Sequence, residues 1–147
     1  MSPEEVLAAI PQQDPFRFID EIVEVDDDHI VATCVFRADH AFYRGHFPGQ
    51  PITPGVILIE SMAQAGVVGL GIHLLANELG ADVSKYMSLF TDAAVEFSGI
   101  VPPGARVTTT GRRVFFRRRK LRSEVEMRLD DGTVVCSGTL SGMGVLR

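Results

Sequence analysis

The sequence has few cysteines and lacks any arrangement of side chains typical of a metal site. Its 147 residues include two cysteines, Cys34 and Cys136, whose separation does not match that of a zinc-binding pair. A glycine-rich motif for the phosphates of a nucleotide is also missing. We therefore expect two buried, reduced thiols and a protein that uses neither a metal nor a cofactor.

Targeting and membrane-spanning patterns are missing as well. Residues 1–15 are acidic and lack the basic and then apolar order of a signal peptide. The longest apolar run, 63–76, contains His73 and several glycines and is too short to cross a bilayer. We therefore expect a cytoplasmic protein that does not associate with membranes.

An excess of acidic residues argues against general nucleic-acid binding. The chain has 14 Lys and Arg against 19 Asp and Glu, which gives a formal net charge of −5. Positive charge is nevertheless concentrated in one segment, 112–122, which reads RRVFFRRRKLR. Two interpretations remain open: a solvated hairpin tip whose arginines prevent edge aggregation, or a docking patch for an acidic partner. Because no base-stacking module accompanies the charge, we expect no nucleic-acid partner.

The hydrophobic pattern indicates one long helix and about six strands. A short helix begins after Ser2, and segment 56–79 is apolar nearly all round, which is typical of a buried helix. Gly66, Gly69 and Gly71 would let a covering sheet approach this helix closely. Because a single buried helix needs a covering sheet, the pattern predicts one α+β domain over residues 1–147. The strand-like segments are 19–25, 30–38, 87–97, 106–116, 122–129 and 133–143.

The most informative segment, 44–64, reads RGHFPGQPITPGVILIESMAQ. His46 precedes a turn with three prolines, and Glu60 lies inside an apolar run that otherwise excludes charge. The prolines stiffen the connection, and Pro54 and Gly55 open the long helix. His46 and Glu60 are 60 − 46 = 14 positions apart. A base and a buried acid around a rigid turn are the parts needed for acid–base chemistry beside a carbonyl.

These residue types suit the removal of water from a β-hydroxyacyl thioester. His46 could remove the Cα proton, since a histidine is partly neutral at physiological pH, and Glu60 could protonate the leaving hydroxyl if burial raises its pKa. Unpaired N–H groups of Gly55 and Val56 at the helix N-terminus could bind the thioester oxygen. Gln64, one helical turn after Glu60, could hold the carboxyl. The alternatives are a turn-capping histidine, a solvent-facing glutamate, a plain tight turn and an interface glutamine.

The chain resembles the 3-hydroxyacyl-[acyl-carrier-protein] dehydratases of bacterial fatty-acid synthesis, the FabZ group. The resemblance implies a hotdog fold, in which an antiparallel sheet wraps around the central helix. It also implies a dimer or a trimer of dimers whose site takes the histidine from one chain and the glutamate from the other. The matching motifs are GHFPG at 45–49, PITPG at 51–55, DPFRFID at 14–20 and the phenylalanine and VPPG within 97–104.

The implied reaction converts (3R)-3-hydroxyacyl thioesters of acyl carrier protein into trans-2-enoyl thioesters without a cofactor. In that setting the basic segment, with Arg117, Arg118, Arg119 and Lys120, could dock the acidic carrier and its phosphopantetheine phosphate. Two other functions stay open, a hotdog acyl thioesterase and a non-catalytic acyl-binding partner subunit. The acyl chain length, the pathway and the choice between carrier protein and coenzyme A also remain open.

Overall fold

A computed structural model describes residues 1–147, and one continuous helix, Gly55–Leu79, runs through its centre. The helix consists of α2 (Gly55–Ala63), a π-helical turn (Gln64–Gly69) and α3 (Leu70–Leu79). It ends at Gly80, whose left-handed φ of 58° is a conformation that glycine adopts without a steric cost. The predicted long helix is thus confirmed.

The central helix is long and apolar enough to span a membrane by composition alone, so the expectation that its apolar run is too short was wrong. Its most hydrophobic window is 67% buried inside the protein, because the sheet covers it. The burial therefore identifies it as the core helix of the domain.

Six antiparallel strands form one sheet around this helix, in the order β1-β2-β4-β5-β6-β3. Three hairpins connect β1 to β2, β4 to β5, and β5 to β6, while β3 pairs only with β6. The predicted α+β class and the wrapped antiparallel sheet are confirmed. The strand bounds are β1 Glu21–Val25, β2 His29–Val35, β3 Tyr86–Phe97, β4 Arg106–Arg117, β5 Lys120–Leu129 and β6 Val134–Leu146.

Two of the three helix glycines let the sheet approach closely. A Cβ atom on Gly66 would lie 2.7 Å from Val125 Cγ1, and one on Gly69 would lie 2.9 Å from Ile30 Cδ1. The Ser123 hydroxyl also donates a hydrogen bond of 2.6 Å to the Gly66 carbonyl. Gly71 differs from the prediction, because its nearest sheet atom would be 3.8 Å away, an ordinary contact distance.

The two cysteines are free and buried, as the sequence predicts. Burial raises the pKa of each thiol to about 12, so both remain protonated. Cys136 packs against two methionine sulfurs, with its Sγ 3.6 Å from Met62 Sδ. These thiols therefore serve as core packing groups.

The two edges of the sheet have different surroundings. At one edge lies the short strand β1, whose Ile22 packs with Val6 and Ile10 of the N-terminal segment. Val6 belongs to helix α1 (Pro3–Ala9), which Ser2 caps. At the other edge lies β3, whose outer side pairs with no strand and which exposes several large apolar side chains. These are Met87, Leu89, Phe90 and Phe97.

Candidate active site

The loop that follows a 3₁₀ turn (Ala41–Arg44) holds His46 through its main chain and its ring. The His46 N–H donates to the Phe42 carbonyl at 3.0 Å, and the His46 carbonyl accepts from the Ile52 N–H at 2.9 Å. The ring Nδ1 lies 3.1 Å from the Ile52 carbonyl. Since a carbonyl oxygen can only accept, Nδ1 carries the proton and donates it. The neutral ring therefore presents its free lone pair on Nε2, the atom a general base uses.

A second set of contacts fixes the base of this loop. The hydroxyl groups of Tyr43 and Thr53 are 2.6 Å apart, and the Thr53 N–H donates to the Val101 carbonyl at 3.0 Å. Burial raises the pKa of the Tyr43 phenol, which keeps it neutral. Phe47 stacks on the His46 ring with centroids 4.1 Å apart and remains half-exposed. His46 is thus held in a rigid loop with one face toward an aromatic ring.

Glu60 lies on α2 and borders a small cavity between the helix and β3. Six other residues line this cavity: Gln12, Ala63, Val67, Val68, Ser88 and Phe90. Burial raises the pKa of the Glu60 carboxyl, and a hydrogen bond from Gln64 offsets part of the rise. The surroundings therefore favour the protonated acid over the carboxylate relative to a glutamate in water.

Gln64 is fully buried and orients the Glu60 carboxyl. Its Oε1 accepts from the Phe18 N–H at 2.7 Å, and its Nε2 donates to the Phe16 carbonyl at 2.9 Å and to Glu60 Oε1 at 3.0 Å. Because a backbone N–H can only donate, the Phe18 contact fixes which way the amide faces. Glu60 Oε1 is an acceptor in this arrangement, so the acidic proton belongs on Oε2.

Sequence reasoning missed the contribution of the segment 16–18 to this arrangement. Ser61 Oγ donates to the Phe18 carbonyl at 2.8 Å, so helix side chains bind both polar groups of that residue. The partners are more than 40 positions apart in the chain, and nothing in local spacing indicates the contact. The one signal available was the pair of polar residues, Ser61 and Gln64, beside Glu60 in a segment of the helix that is otherwise apolar.

The N-terminus of α2 has backbone donors without partners. The N–H groups of Ile57 and Leu58 both bind the Pro54 carbonyl, at 2.9 and 3.2 Å, whereas those of Gly55 and Val56 have no hydrogen-bond partner in the chain. The ring of Phe97 covers this end, with carbon atoms 3.0 Å from where a Gly55 Cβ would lie, so a larger residue does not fit there without a shift. Two free donors and the helix dipole favour a negatively charged oxygen at this place.

The structure brings together some of the predicted site residues within one chain. Glu60 and Gln64 are in direct contact, and Gly55 and Val56 begin the same helix. His46 is not among the residues that line the Glu60 cavity. No group of three His, Cys, Asp or Glu side chains within residues 1–147 is placed to hold a metal ion.

The predicted docking residues form the turn between β4 and β5. Arg118 and Arg119 occupy the two loop positions of the hairpin, with left-handed φ values of 50° and 62°. Lys120 Nζ lies 3.5 Å from an Asp92 carboxylate oxygen, and Arg119 lies over the Tyr86 ring. Arg117 and Arg118 are exposed and pair with no carboxylate.

Comparison with known proteins agrees with the fold and shows the family. A family model described as the FabA-like domain matches residues 10–140. The chain is 36% identical over 141 residues to the 3-hydroxyacyl-[acyl-carrier-protein] dehydratase FabZ of Streptococcus pyogenes serotype M3, covering 93% of this chain and 94% of that protein. Relatives from serotypes M5 and M1 match to the same extent.

Solved structures share the same architecture. The dehydratase heterocomplex ApeI:P from Xenorhabdus doucetiae matches with a TM-score of 0.77 at 20% identity, over 100% of this chain and 93% of that chain. A mutant thioesterase from Pseudomonas aeruginosa matches with a TM-score of 0.68 at 19% identity, over 100% and 96%. The fold therefore defines a hotdog protein. Within that class, the chain belongs to the FabA-like family.

Proposed function

We propose that the protein removes water from (3R)-3-hydroxyacyl-[acyl-carrier-protein] thioesters to give trans-2-enoyl thioesters in fatty-acid synthesis or related acyl-chain synthesis. The observation that carries this proposal is the Glu60 carboxyl, whose pKa is raised by burial and whose Oε2 is left free by the Gln64 contact. A neutral acid of this kind can protonate a departing hydroxyl group. The family membership and the FabZ relatives support the same reaction.

Each site residue has one role in the proposed reaction. The free Nε2 of His46 removes the proton from Cα, and Glu60 delivers a proton to the β-hydroxyl, which leaves as water. Negative charge develops on the thioester oxygen as the Cα proton departs. The unpaired N–H groups of Gly55 and Val56 stabilise that charge. The reaction needs no cofactor, because both proton transfers use side chains of the chain.

We further propose that two chains form each site. His46 does not line the Glu60 cavity of its own chain, and the bare edge of β3 supplies Ser88 and Phe90 to that cavity. A second copy of the chain paired at this edge would lie beside Glu60 and could present its His46. The proposed assembly is a homodimer or a trimer of dimers, with residues 1–147 as one catalytic domain in the cytoplasm.

The basic turn is the proposed docking patch for acyl carrier protein. Arg117 and Arg118 are free of carboxylate partners, so their charge is available to an acidic surface or a phosphate. Arg118 and Arg119 occupy left-handed positions where asparagine and glycine are favoured. The presence of two arginines at strained backbone positions supports a use for their charge.

The acid–base pair can be tested with His46→Ala and Glu60→Gln. Each change should lower kcat by about 10²–10⁴-fold, the usual contribution of a general acid or base, with an unchanged fold by circular dichroism. Mass spectrometry of 3-hydroxyacyl carrier substrates should show loss of water in the unaltered protein. Loss of the acyl group would identify a thioesterase, and no change would identify a binding subunit. Mixing the two inactive variants under subunit exchange should restore activity if the sites are shared.

The docking patch can be tested with the double substitution Arg118→Asn and Arg119→Gly. This change should stabilise the hairpin, since it relieves two unfavourable backbone conformations of roughly 1–2 kcal/mol each. It should also raise KM for the carrier-bound substrate while leaving KM for a pantetheine thioester unchanged. Asp92→Asn is a control with the opposite expected effect. It frees Lys120 from the Asp92 carboxylate, so KM for the carrier-bound substrate should fall. Equal KM values for the carrier substrate in all three proteins would contradict the docking role.

A further inference from the structure

Gln12 is a polar side chain that lines the Glu60 cavity and has no role in the reaction described above. Its amide oxygen, Oε1, is buried and accepts no hydrogen bond from any group of the chain. The one other buried side-chain atom without a partner, Nδ1 of His73, lies outside this cavity. Because buried polar atoms are nearly always paired, an unpaired oxygen at the wall of a candidate active site indicates a contact with a ligand.

The segment that carries Gln12 is fixed beside the central helix. Ile10, two residues earlier, is buried in the core. Further along the segment, the Phe16 carbonyl accepts a hydrogen bond of 2.9 Å from Gln64 Nε2, and the same amide group donates to Glu60 Oε1 at 3.0 Å. The segment is therefore bonded to the helix that carries the acid, so Gln12 and Glu60 are held on the same cavity.

Gln12 and Glu60 together offer this cavity one acceptor and one donor. Glu60 Oε1 accepts from Gln64, so the proton of the neutral acid lies on Oε2, which donates. Gln12 Oε1 is a carbonyl oxygen and can only accept. A hydroxyl group is the complement of this pair, because it has one hydrogen to donate and lone pairs that accept. A thioester or an enoyl group has no hydrogen to donate and would leave Gln12 Oε1 unpaired.

The size of the cavity suits the same group. Its volume of about 30 Å³ is enough for a hydroxyl or a water molecule. Four of the seven residues that line it are hydrophobic, so few other polar side chains compete for the substrate oxygen.

We propose that Gln12 binds the 3-hydroxyl group of the substrate and determines the preference for 3-hydroxyacyl chains over acyl and 2-enoyl chains. The inference rests on the proposed dehydratase function and adds a substrate-binding residue to that site. The substrate hydroxyl donates to Gln12 Oε1, which turns a lone pair of its oxygen toward the Glu60 proton. Glu60 transfers that proton, the Cβ–O bond breaks and water leaves. The enoyl product then has no group that pairs with Gln12, which favours its release.

Binding of three carrier proteins tests this assignment. They bear (3R)-3-hydroxyacyl, acyl and trans-2-enoyl chains of equal length, and calorimetry is performed in the His46→Ala background, which lacks the base but keeps Glu60 and Gln12. The 3-hydroxyacyl carrier should bind about 10-fold or more tightly than the other two, because it alone pairs with the buried acceptor. Gln12→Met keeps a side chain of similar length without the carbonyl, and it should abolish this preference. Equal affinity for the three carriers with Gln12 intact would overturn the inference.

Gln13 provides a matched control at the next position. Gln13→Met removes the same amide group from an exposed side chain that does not line the cavity, so the preference for the 3-hydroxyacyl carrier should remain. An equal loss of preference in Gln13→Met and Gln12→Met would overturn the inference. Equal weakening of all three carriers in Gln12→Met would overturn it as well, since Gln12 would then contact the pantetheine arm that the carriers share.

Thermal unfolding separates substrate binding from a structural role of Gln12. A glutamine that stabilises the fold lowers Tm when it is replaced. Gln12→Met removes a buried acceptor without a partner in the chain, so Tm should be unchanged or higher, and a lower Tm would overturn the inference. The binding preference is measured without turnover. It would therefore support the role of Gln12 even if the unaltered protein released no water, a result that would contradict the proposed reaction alone.

Discussion

The two edge strands of the sheet, β1 and β3, differ in length and in how far they are covered. The edge strand β1 has five residues, an irregular register between Ile22 and Glu24, and helix α1 packed beside it. The edge strand β3 has twelve residues and leaves four large apolar side chains between 41% and 50% exposed. Short, irregular and covered edges resist strand addition, whereas a long bare apolar edge favours it. The β1 edge is therefore closed to strand addition, whereas the β3 edge is open and suited to a partner strand.

The same open edge contributes to the candidate site. Ser88 and Phe90 of β3 line the Glu60 cavity, and Phe97 at its end covers the helix N-terminus at Gly55. A partner at β3 would therefore alter the surroundings of the acid, while a partner at β1 would not. In the proposed dimer, assembly and catalysis are therefore linked through this strand.

The largest expected effect comes from a charge placed on the open edge. Leu89→Lys should prevent strand pairing at β3, since edge lysines block strand addition, and should yield a monomer in sedimentation. If the site needs both chains, kcat should fall about 10²-fold or more, as for loss of a general acid or base. The matched change on the closed edge, Val23→Lys, alters a similarly exposed residue and should leave both assembly and kcat unchanged. A fully active Leu89→Lys monomer would contradict the shared site.

A smaller effect is expected from destabilising helix α1, which covers the closed β1 edge. Ser2 caps α1 and forms a capping box with Glu5, with contacts of 3.1 and 2.7 Å. Ser2→Ala should lower the free energy of unfolding by about 1 kcal/mol, the usual value of an N-cap, without changing kcat. Chemical denaturation and turnover measurements check this. A loss of activity equal to that of Leu89→Lys would mean that the two edges are not functionally distinct.

The smallest expected effect concerns pH. Burial raises the pKa of Glu60 above its ordinary value of 4.5, so the folded protein holds that proton where the unfolded chain has released it. Stability should therefore fall as pH rises through this window, and Glu60→Gln should remove that fall. Because Glu60 is only half-buried, we expect this effect on the free energy of unfolding to be smaller than that of the lost N-cap. The dependence should be steeper in the dimer than in Leu89→Lys, where β3 stays in water. If the stability of the unaltered protein and that of Leu89→Lys depended on pH in the same way, the proposed role of the β3 edge would be contradicted.

Much of the fold follows from local sequence signals. The start of the central helix at Pro54 and Gly55, its end at Gly80 and the cap at Ser2 were all predictable from residue type and order. The pairing of β3 with β6 was not, since the two strands are separated by two others in sequence and no turn signal joins them. Likewise, the π turn at Gln64–Gly69 has no signal in the hydrophobic periodicity.

The candidate site divides in the same way. His46, Glu60 and the open N-terminus at Gly55 could be read from one continuous segment and its motif. The orientation of Gln64 could not, because it depends on main-chain groups of Phe16 and Phe18. The basic segment also could not be resolved from composition, since Asp92 on a distant strand pairs with Lys120 while Arg118 stays free.

The π turn has a consequence for the angular phase of the central helix. In an α-helix each residue advances about 100° around the axis, and a π turn accommodates one extra residue, so converting Gln64–Gly69 to α geometry with all its residues kept would rotate α3 by about that angle against α2. Glu60 would keep its direction, but Gly71 and Leu75 would turn away from the apolar cavity beside β3 whose wall they now form. The π turn therefore sets the rotation of α3 relative to α2, and with it the direction of the α3 side chains relative to Glu60.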